Sequence, residues 1–309
     1  MAYYLGIDGG GSKTTCAVGD DASVITTVTT GPSNITRVGE ERAREALQQA
    51  ISQACAAAKI TPKQVERACI GIAGAGREAV AAAVRKIVGE LISGEIEVVG
   101  DMPIALEAAF GGGTGVVVIA GTGSVAYGRN AEGRTARAGG WGFAISDEGS
   151  AHWIGRVAVS ALLRAMDREE KGASHSSSLF RGITAAWKLK SLDELVRTAN
   201  SNPDFAALFP TILAAAEGGD TVAENVLLNA GRELAGLADI VSRRLFAGNG
   251  ASVTIVPLAV AGGVFRHSQM VWNAFGSEIQ KASVPLGLSP QIVEPVMGAL
   301  RMARRSGKS

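Results

Sequence analysis

A pattern of strand, glycine turn and strand occurs twice in the chain and limits its possible folds more than any other feature. The first copy spans residues 3–18, where three consecutive glycines separate two β-rich runs. The second spans residues 116–127, around the turn Gly-Thr-Gly-Ser at 121–124. Such runs predict β-hairpins. Two similar hairpins about a domain length apart predict two related lobes facing one another, with chance similarity of two glycine-rich hairpins as the alternative.

Strands and helices are predicted to alternate along the chain. The 309 residues are 47% hydrophobic but only 5% aromatic, which is typical of buried parallel strands covered by helices. Strands followed by helices imply right-handed crossovers onto one sheet, so an α/β fold is expected. Strands are expected at 3–7, 14–18, 23–29, 67–72, 96–99, 116–120, 125–127 and 253–261, and helices at 40–58, 77–91, 103–110, 191–199, 205–216, 221–245, 269–281 and 295–305. The polar residues 167–178 are expected to form an exposed loop.

Charge and cysteine content exclude several classes of function. The net charge of +1 provides no long-range field for nucleic acid or an anionic membrane. The chain lacks a recognisable leader and any apolar stretch of membrane-spanning length, so a cytoplasmic protein without membrane contact is expected. Cys16, Cys55 and Cys69 are scattered singly, which favours buried thiols over a disulfide framework or a metal site.

The first glycine turn follows an acidic residue in an apolar strand. A carboxylate such as Asp8 is costly to bury unless cations or donors meet it. It is either a turn-initiating residue, or it orients Mg²⁺ through water while glycines 9–11, Ser12, Lys13 and Thr14 meet phosphate oxygens. The segment is not a P-loop, because Lys13 does not directly follow the last glycine of the required motif.

The second glycine turn matches a loose dinucleotide-binding fingerprint, which raises a Rossmann oxidoreductase as an alternative. The residues that follow, 127–133, resemble a returning strand and turn rather than a helix that would face a pyrophosphate. A second phosphate-binding hairpin, with Thr122 and its neighbouring amides as donors, is therefore the preferred interpretation.

Two further acidic positions are candidates for contact with substrate. Asp101 lies where a strand ends and a helix begins, so it is either a helix N-cap or a base that accepts a proton from a hydroxyl. Residues 139–150 combine a glycine-rich turn with Asp147 and Glu148, which either form a turn and helix cap or bind sugar hydroxyls. Three histidines without matching partners, His152, His175 and His267, are expected to be non-catalytic.

Five motifs together carry a family resemblance. They are LGIDGGGSKT at 5–14, VVGD at 98–101, VIAGTGS at 118–124, GGWG at 139–142 and SDEGSA at 146–151. In this order the chain resembles the N-acetylglucosamine kinase branch of the BadF/BadG/BcrA/BcrD group, within the sugar kinase, Hsc70 and actin superfamily. The resemblance implies two ribonuclease-H-like lobes with ATP and sugar in an interlobe cleft. It divides the chain into 1–112 plus 290–309 and 113–289, the last helix returning to the N-terminal lobe.

The resemblance also implies a role for individual residues. Asp101 matches the catalytic base and Asp8 the acid that orients Mg²⁺. ATP would be bound by two phosphate loops and an adenosine turn, at Gly10, Gly11, Ser12, Lys13, Thr14, Thr122, Gly123, Gly262 and Gly263. The sugar would be bound at Asn34, Gly74, Gly139, Gly140 and Asp147.

The expected activity is ATP-dependent phosphorylation of an amino sugar, N-acetylglucosamine to its 6-phosphate. Ile35 and Thr36 follow Asn34 where animal members carry bulkier His and Trp, so glucosamine or N-acetylmuramic acid remain alternative substrates. A different class, an ATPase that activates a radical dehydratase, would need thiolates for an iron-sulfur cluster. A nucleotide-dependent sensor without turnover is the third interpretation. ATP and a small sugar are the expected ligands, and a homodimer is the expected assembly.

Overall fold

A computed structural model describes residues 2–168, 177–247 and 255–305, and these form an α/β fold with two five-stranded sheets. The strands are β1 (Tyr3–Gly9), β2 (Thr14–Gly19), β3 (Val24–Thr30), β4 (Val65–Ile72), β5 (Glu95–Val99), β6 (Gly115–Ala120), β7 (Ser124–Arg129), β8 (Thr135–Gly139), β9 (Val256–Ala261) and β10 (Leu286–Val293). The helices are α1 (Ile35–Val38), α2 (Glu40–Ala57), α3 (Glu78–Gly89), α4 (Asp101–Phe110), α5 (Ala151–Asp167), α6 (Ser178–Ala186), α7 (Leu192–Ala199), α8 (Phe209–Glu217), α9 (Thr221–Phe246), α10 (Gly263–His267), α11 (Gln269–Ile279) and α12 (Pro295–Arg305).

The two sheets repeat one topology. Their strand orders are β3-β2-β1-β4-β5 and β10-β9-β6-β7-β8. Numbered by their order of appearance within each sheet, both read 3-2-1-4-5 from one edge to the other. This repeated order confirms the prediction of two related, ribonuclease-H-like lobes. The chain divides into two compact units, Met1–Val117 with Val293–Ser309 and Val118–Ile292.

In the first unit, helices cover both faces of the sheet. Leu5 and Ile7 of β1 pack with α2 and α3 on one face, whereas Tyr4 packs with α4 and α12 on the other, as the alternation of side chains along a strand requires. A Cβ on Gly298 of α12 would lie 1.9 Å from the Ile104 carbonyl oxygen of α4. Glycine therefore permits the close contact of these two helices, and α12 also packs on β1.

In the second unit, the long helix α9 packs on β7, β8, α5 and α11. Its buried side includes Leu234, Ala238 and Val241. A Cβ on Gly231 would lie 2.6 Å from the Val271 carbonyl oxygen, so the backbones of α9 and α11 approach closely at this residue. No helix among residues 2–168, 177–247 and 255–305 is long and apolar enough to cross a membrane.

The sequence analysis gave no bounds for the helices α1, α5, α6 and α10, missed two strands, and misplaced other elements by a few residues. β8 and β10 were not predicted. Both lie at sheet edges, where the polar TARAG run and Pro290 are tolerated because an edge strand needs fewer ladder hydrogen bonds. Helix α6 was also missed, and the helix predicted at 205–216 begins as the 3₁₀ turn Phe205–Leu208. Residues 169–176 of the predicted loop, and the start of the strand predicted at 253–261, fall outside the described residues.

Candidate active site

Two acidic residues lie at the carboxyl edge of the first sheet. β1, β4 and β5 are parallel neighbours, with Asp8 opposite Gly71 and Gly71 opposite Val99. Neighbouring strands are about 4.8 Å apart, so Asp8 and Val99 are separated by two such spacings. Asp101 follows Val99 by two residues, at the start of α4. The topology therefore gathers both acids at the edge where α/β sheets bind ligands.

Both carboxyl groups are partly buried and have perturbed pKa values. Burial and the charge of Asp101 raise the pKa of Asp8 to about 7; Lys13 opposes this shift and Glu294 adds to it. Burial also raises the pKa of Asp101, and its own backbone amide and that of Met102 limit the rise. Because burial and a neighbouring carboxylate destabilise the ionised form of Asp8, this edge of the sheet is receptive to a cation or a proton.

The helix-capping interpretation of Asp101 needs a correction. Gly100 is the N-cap of α4, and Asp101 is the first residue of the helix. The Met102 amide donates to Asp101 Oδ1 at 3.1 Å. The carboxylate thus lies at the positive end of the helix dipole without being the residue that starts the helix.

The first glycine loop is held by its carbonyl groups. The Gly10 amide donates to the Lys13 carbonyl at 2.9 Å, and the Gly10 carbonyl accepts from the amides of Ser33 and Asn34, both at 3.2 Å. In a trans peptide the N–H points opposite to the C=O. The Gly11 amide is therefore directed away from the turn at residues 33–34, in an orientation that suits a phosphate oxygen.

The Thr14 hydroxyl, which was predicted to donate to phosphate, makes contacts within the protein. The side chain is fully buried, and its hydroxyl lies 2.7 Å from both the Gly31 carbonyl and Ser33 Oγ. These contacts connect β2 to the turn that holds Gly10. Ser12 and Lys13 are exposed. Direct contacts of Ser12, Lys13 and Thr14 with ATP stay predictions.

The structure brings Asn34 and Gly74 into one cluster with two residues that the sequence analysis did not assign. Asn34 caps α1 by accepting from the Thr36 amide at 3.1 Å. Gly74 has a φ of +89°, and a Cβ there would lie 3.5 Å from Thr36 Oγ1 and 3.2 Å from Arg77 Nη2. Arg77 Nη2 donates to Thr36 Oγ1 at 2.7 Å. The sequence analysis did not use the signal that could have identified Arg77, a cation directly after the glycine loop GIAGAG.

The second glycine loop is held by a helix instead of a turn. At the start of α5 the Ala151 amide donates to the Gly121 carbonyl at 2.9 Å, and the His152 amide donates to the Thr122 carbonyl at 3.3 Å. By the same peptide geometry, the amides of Thr122 and Gly123 point away from α5. The loop leads into β7 and not into a helix, which confirms the argument against a Rossmann site.

Predicted ATP and sugar residues also adjoin one another in the second unit. A Cβ on Gly123 would lie 2.9 Å from Asp147 Oδ2, and Asp147 is buried with a φ of +64°. Gly139 and Gly140 have positive φ and lie against the Ser124 carbonyl. A Cβ on Gly262, the residue before α10, would lie 2.2 Å from the Ala120 carbonyl oxygen. The predicted ligand-binding residues of this unit therefore lie around the ends of β6, β8 and β9 and the start of β7. They are Thr122, Gly123, Gly139, Gly140, Asp147, Gly262 and Gly263.

The cysteines and histidines do not assemble into a site in the described residues. Cys16, Cys55 and Cys69 are free and buried. Burial raises the pKa of all three thiols, that of Cys55 to about 11. His152 is buried against the rings of Phe143 and Phe205. His175 lies outside the described residues, and no group of three or more His, Cys, Asp or Glu side chains in the described parts could hold a metal.

The family model of the BadF/BadG/BcrA/BcrD ATPases matches residues 5–303. The chain belongs to this family. It is 35% identical to the N-acetylmuramic acid/N-acetylglucosamine kinase of Clostridium acetobutylicum over 89% of each chain. It is 29% identical to the N-acetyl-D-glucosamine kinase of Dictyostelium discoideum over 99% of this chain and 98% of that one. The structure of a candidate N-acetylglucosamine kinase from Chromobacterium violaceum superposes with a TM-score of 0.76, at 23% identity and 99% coverage of both chains.

Proposed function

We propose that this member of the family is an amino-sugar kinase that transfers the γ-phosphoryl group of ATP to a hydroxyl of N-acetylglucosamine, giving the 6-phosphate. The pair of partly buried acids at the carboxyl edge of the first sheet carries this proposal. A phosphoryl acceptor must lose a proton as its oxygen bonds to phosphorus, and a carboxylate at this edge can take it. The names of both curated relatives support the same reaction.

Asp101 acts as the base in this mechanism. Desolvation raises its pKa, which improves its capacity to accept a proton, while the Met102 amide keeps its carboxylate in place. Burial and the charge of Asp101 raise the pKa of the second acid, Asp8, to about 7, so a nearby cation would stabilise its ionised form. The acids therefore fit Mg²⁺, which is commonly held by one or two carboxylates together with phosphates and water. When bound, Mg²⁺ neutralises the charge that develops on the phosphates.

The backbone binds the nucleotide in this proposal. The amide of Gly11 and those of Thr122 and Gly123 are aimed away from the elements that hold their loops, so phosphate oxygens can accept from them. Lys13 adds a positive charge at the first loop, and Gly262 and Gly263 border the adenosine. Such fixed donors stabilise developing charge without having to reorient during the reaction.

The proposed sugar-binding residues are Asn34, Gly74, Gly139, Gly140 and Asp147. Short or absent side chains leave room for a ring, and the amide and carboxylate groups can bond to hydroxyls. Glucosamine and N-acetylmuramic acid remain alternative substrates. The homodimer and the cytoplasmic location also stay predictions, the first of which light scattering would check.

A coupled assay of ADP formation tests the proposed activity. The purified chain is supplied with ATP, Mg²⁺ and, in turn, N-acetylglucosamine, glucosamine, N-acetylmuramic acid and glucose, and the position of phosphate in each product is read by NMR. We expect sugar-dependent ADP release and a 6-phosphate. ADP release that no sugar stimulates would contradict the proposal. An iron-sulfur absorption band in anaerobically prepared protein would favour the dehydratase activator instead.

A further inference from the structure

Arg77 places a guanidinium group within the predicted sugar-binding cluster of the first unit. Its Nη2 donates to Thr36 Oγ1 at 2.7 Å, and a Cβ on Gly74 would lie 3.2 Å from the same nitrogen. Because Gly74 has no side chain, nothing from that residue covers the guanidinium. Thr36 is two residues after Asn34, whose side chain holds the Thr36 amide. Two hydrogen bonds through Thr36 thus connect Arg77 to Asn34, a residue expected to bind the sugar.

The charge of Arg77 is not neutralised by a neighbouring acid. Within the described ranges of the chain, no carboxylate pairs with it, whereas Arg85 on the same helix pairs with Glu78 at 3.6 Å and Arg67 pairs with Glu95 at 3.0 Å. Arginine has five N–H donors, and the Thr36 hydroxyl uses one of them. The exposed guanidinium retains a planar set of donors that matches a carboxylate.

The rest of this edge is unfavourable for an anionic sugar. Asp8 and Asp101 both lie there, at the carboxyl ends of the neighbouring strands β1, β4 and β5. The cation at the first loop, Lys13, acts on Asp8. A sugar with a carboxylate would be repelled by these acids unless a second cation met it. Arg77 is placed to supply that cation, and a neutral sugar would gain little from it.

We propose that Arg77, held by Thr36, determines substrate specificity by binding the carboxylate of an acidic amino sugar. This inference rests on the proposed function, because it takes Asn34 and Gly74 as sugar-binding residues. Neutral amino sugars bind without the guanidinium. The enzyme then accepts both neutral and carboxylate-bearing amino sugars, and Arg77 sets the ratio between them.

Three substrates and two substitutions of Arg77 separate the effect of charge from that of size. The substrates are N-acetylglucosamine, N-acetylmuramic acid and the methyl ester of N-acetylmuramic acid, which keeps the bulk of the lactyl group but removes its charge. For Arg77→Met we expect kcat/KM for the free acid to fall about 10-fold or more, mainly through KM. The values for N-acetylglucosamine and the ester should change less than about 3-fold. Arg77→Lys, which keeps the charge but loses the planar fork, should give an intermediate loss for the free acid.

Matched variants distinguish recognition from a disturbed loop. Arg85→Met removes a cation from the same helix and should leave all three substrates unchanged. Thr36→Val removes the hydroxyl that holds the guanidinium and should reduce the preference for the free acid by a smaller factor than Arg77→Met. In the wild type, added salt should weaken use of the free acid more than use of the ester, and Arg77→Met should abolish that difference.

The results distinguish the specificity inference about Arg77 from the proposed kinase activity. If the wild type phosphorylates N-acetylglucosamine but not N-acetylmuramic acid, the specificity inference is wrong and the kinase proposal stands. Equal losses for all three substrates in Arg77→Met would assign Arg77 to loop structure and also overturn the inference. If no amino sugar is phosphorylated, both proposals fail.

Discussion

The two glycine loops are built from the same strand pattern but are held in place by different parts of the chain. The first loop is held by a turn, through the Gly10 carbonyl and the amides of Ser33 and Asn34. The second is held by the start of α5, through the Gly121 and Thr122 carbonyls. In both loops, hydrogen bonds to the carbonyls direct the amides of the same peptide groups away from the turn or helix that binds the loop. The direction of a loop's amides can therefore be set by the groups that bind its carbonyls.

The loops differ in charge as well as in support. The first adjoins Asp8, Lys13 and Asp101, and two of these are acids with raised pKa values. The second adjoins Asp147, which is buried beside Gly123. In the proposed mechanism, the groups that move a proton and hold a cation therefore belong to the first unit, whereas those of the second unit mainly bind the substrates.

The largest expected effect separates chemistry from binding. Asp101→Asn should lower kcat by about 100-fold or more, because the amide cannot accept the hydroxyl proton, and should leave the KM for ATP nearly unchanged. Asp147→Asn should act mainly on the KM for the sugar, by about 10-fold. Steady-state kinetics with both substrates varied provides the measurement. A dominant kcat loss in Asp147→Asn with near-normal turnover in Asp101→Asn would reverse the proposed division.

The second prediction concerns the space inside the second loop. Gly123→Ala places a Cβ 2.9 Å from Asp147 Oδ2, closer than an ordinary contact, so the carboxylate or the loop must move. We expect a loss of about 1–3 kcal/mol in the free energy of unfolding, together with weaker sugar binding. Denaturant titration provides the first value. Gly121→Ala in the same loop is the control, because its Cβ would meet no atom within 4 Å and should cost little.

The sequence predicted the fold well because its signals were local. The apolar runs of β1 and β6 and the periodicity of α2, α9 and α12 mark elements whose own side chains decide their structure. β8 and β10 were missed because an edge position, set by distant strands, permits polar residues and Pro290. The grouping of Gly123 with Asp147 follows from the fold, since no spacing in sequence specifies that contact. The same holds for Arg77 and Thr36, which are 41 residues apart.

The third prediction uses the raised pKa of Asp8 in the ligand-free protein. Its pKa is about 7 in the folded protein, against an ordinary value of 3.8, so the folded state binds more protons between these limits. Stability should therefore fall as pH rises from about 4 to 7 and then level off. Asp8→Asn removes this cost, and we expect it to be more stable than wild type by about 4 kcal/mol at pH 8 and equal near pH 4.

Asp20 provides a control of opposite sign for this prediction. Hydrogen bonds from the amides of Ser23 and Ala22 lower its pKa, so its carboxylate contributes stability that is present at neutral pH and lost as pH falls. Asp20→Asn should therefore be less stable than wild type at neutral pH, and the difference should vanish in acid. Thermal unfolding of the three proteins across pH provides the test. Parallel curves for Asp8→Asn and wild type would show that burial and the charge of Asp101 do not destabilise the ionised form of Asp8.

The smallest expected effects compare the supports of the two loops. Thr14→Val keeps the shape of a buried side chain but removes the hydroxyl that meets the Gly31 carbonyl and Ser33 Oγ. Ser150→Ala removes the side chain that caps α5 by accepting from the Trp153 amide at 3.1 Å. Each should lower the free energy of unfolding by about 1 kcal/mol. Thr15→Val, at a position where the described residues show no side-chain hydrogen bond, should cost less than either.

Nucleotide affinity then distinguishes the two supports. In the first unit, Thr14 holds the turn that orients the Gly10 carbonyl, so its loss should weaken ATP binding by a few-fold, because the Gly11 amide is no longer fixed. In the second, the Gly121 and Thr122 carbonyls are bound by backbone amides that Ser150→Ala leaves in place. That variant should therefore lose stability without losing ATP affinity. Equal losses of ATP affinity in both variants would mean that the Ser150 cap of α5, and not only the backbone amides of the helix, holds the second loop in position.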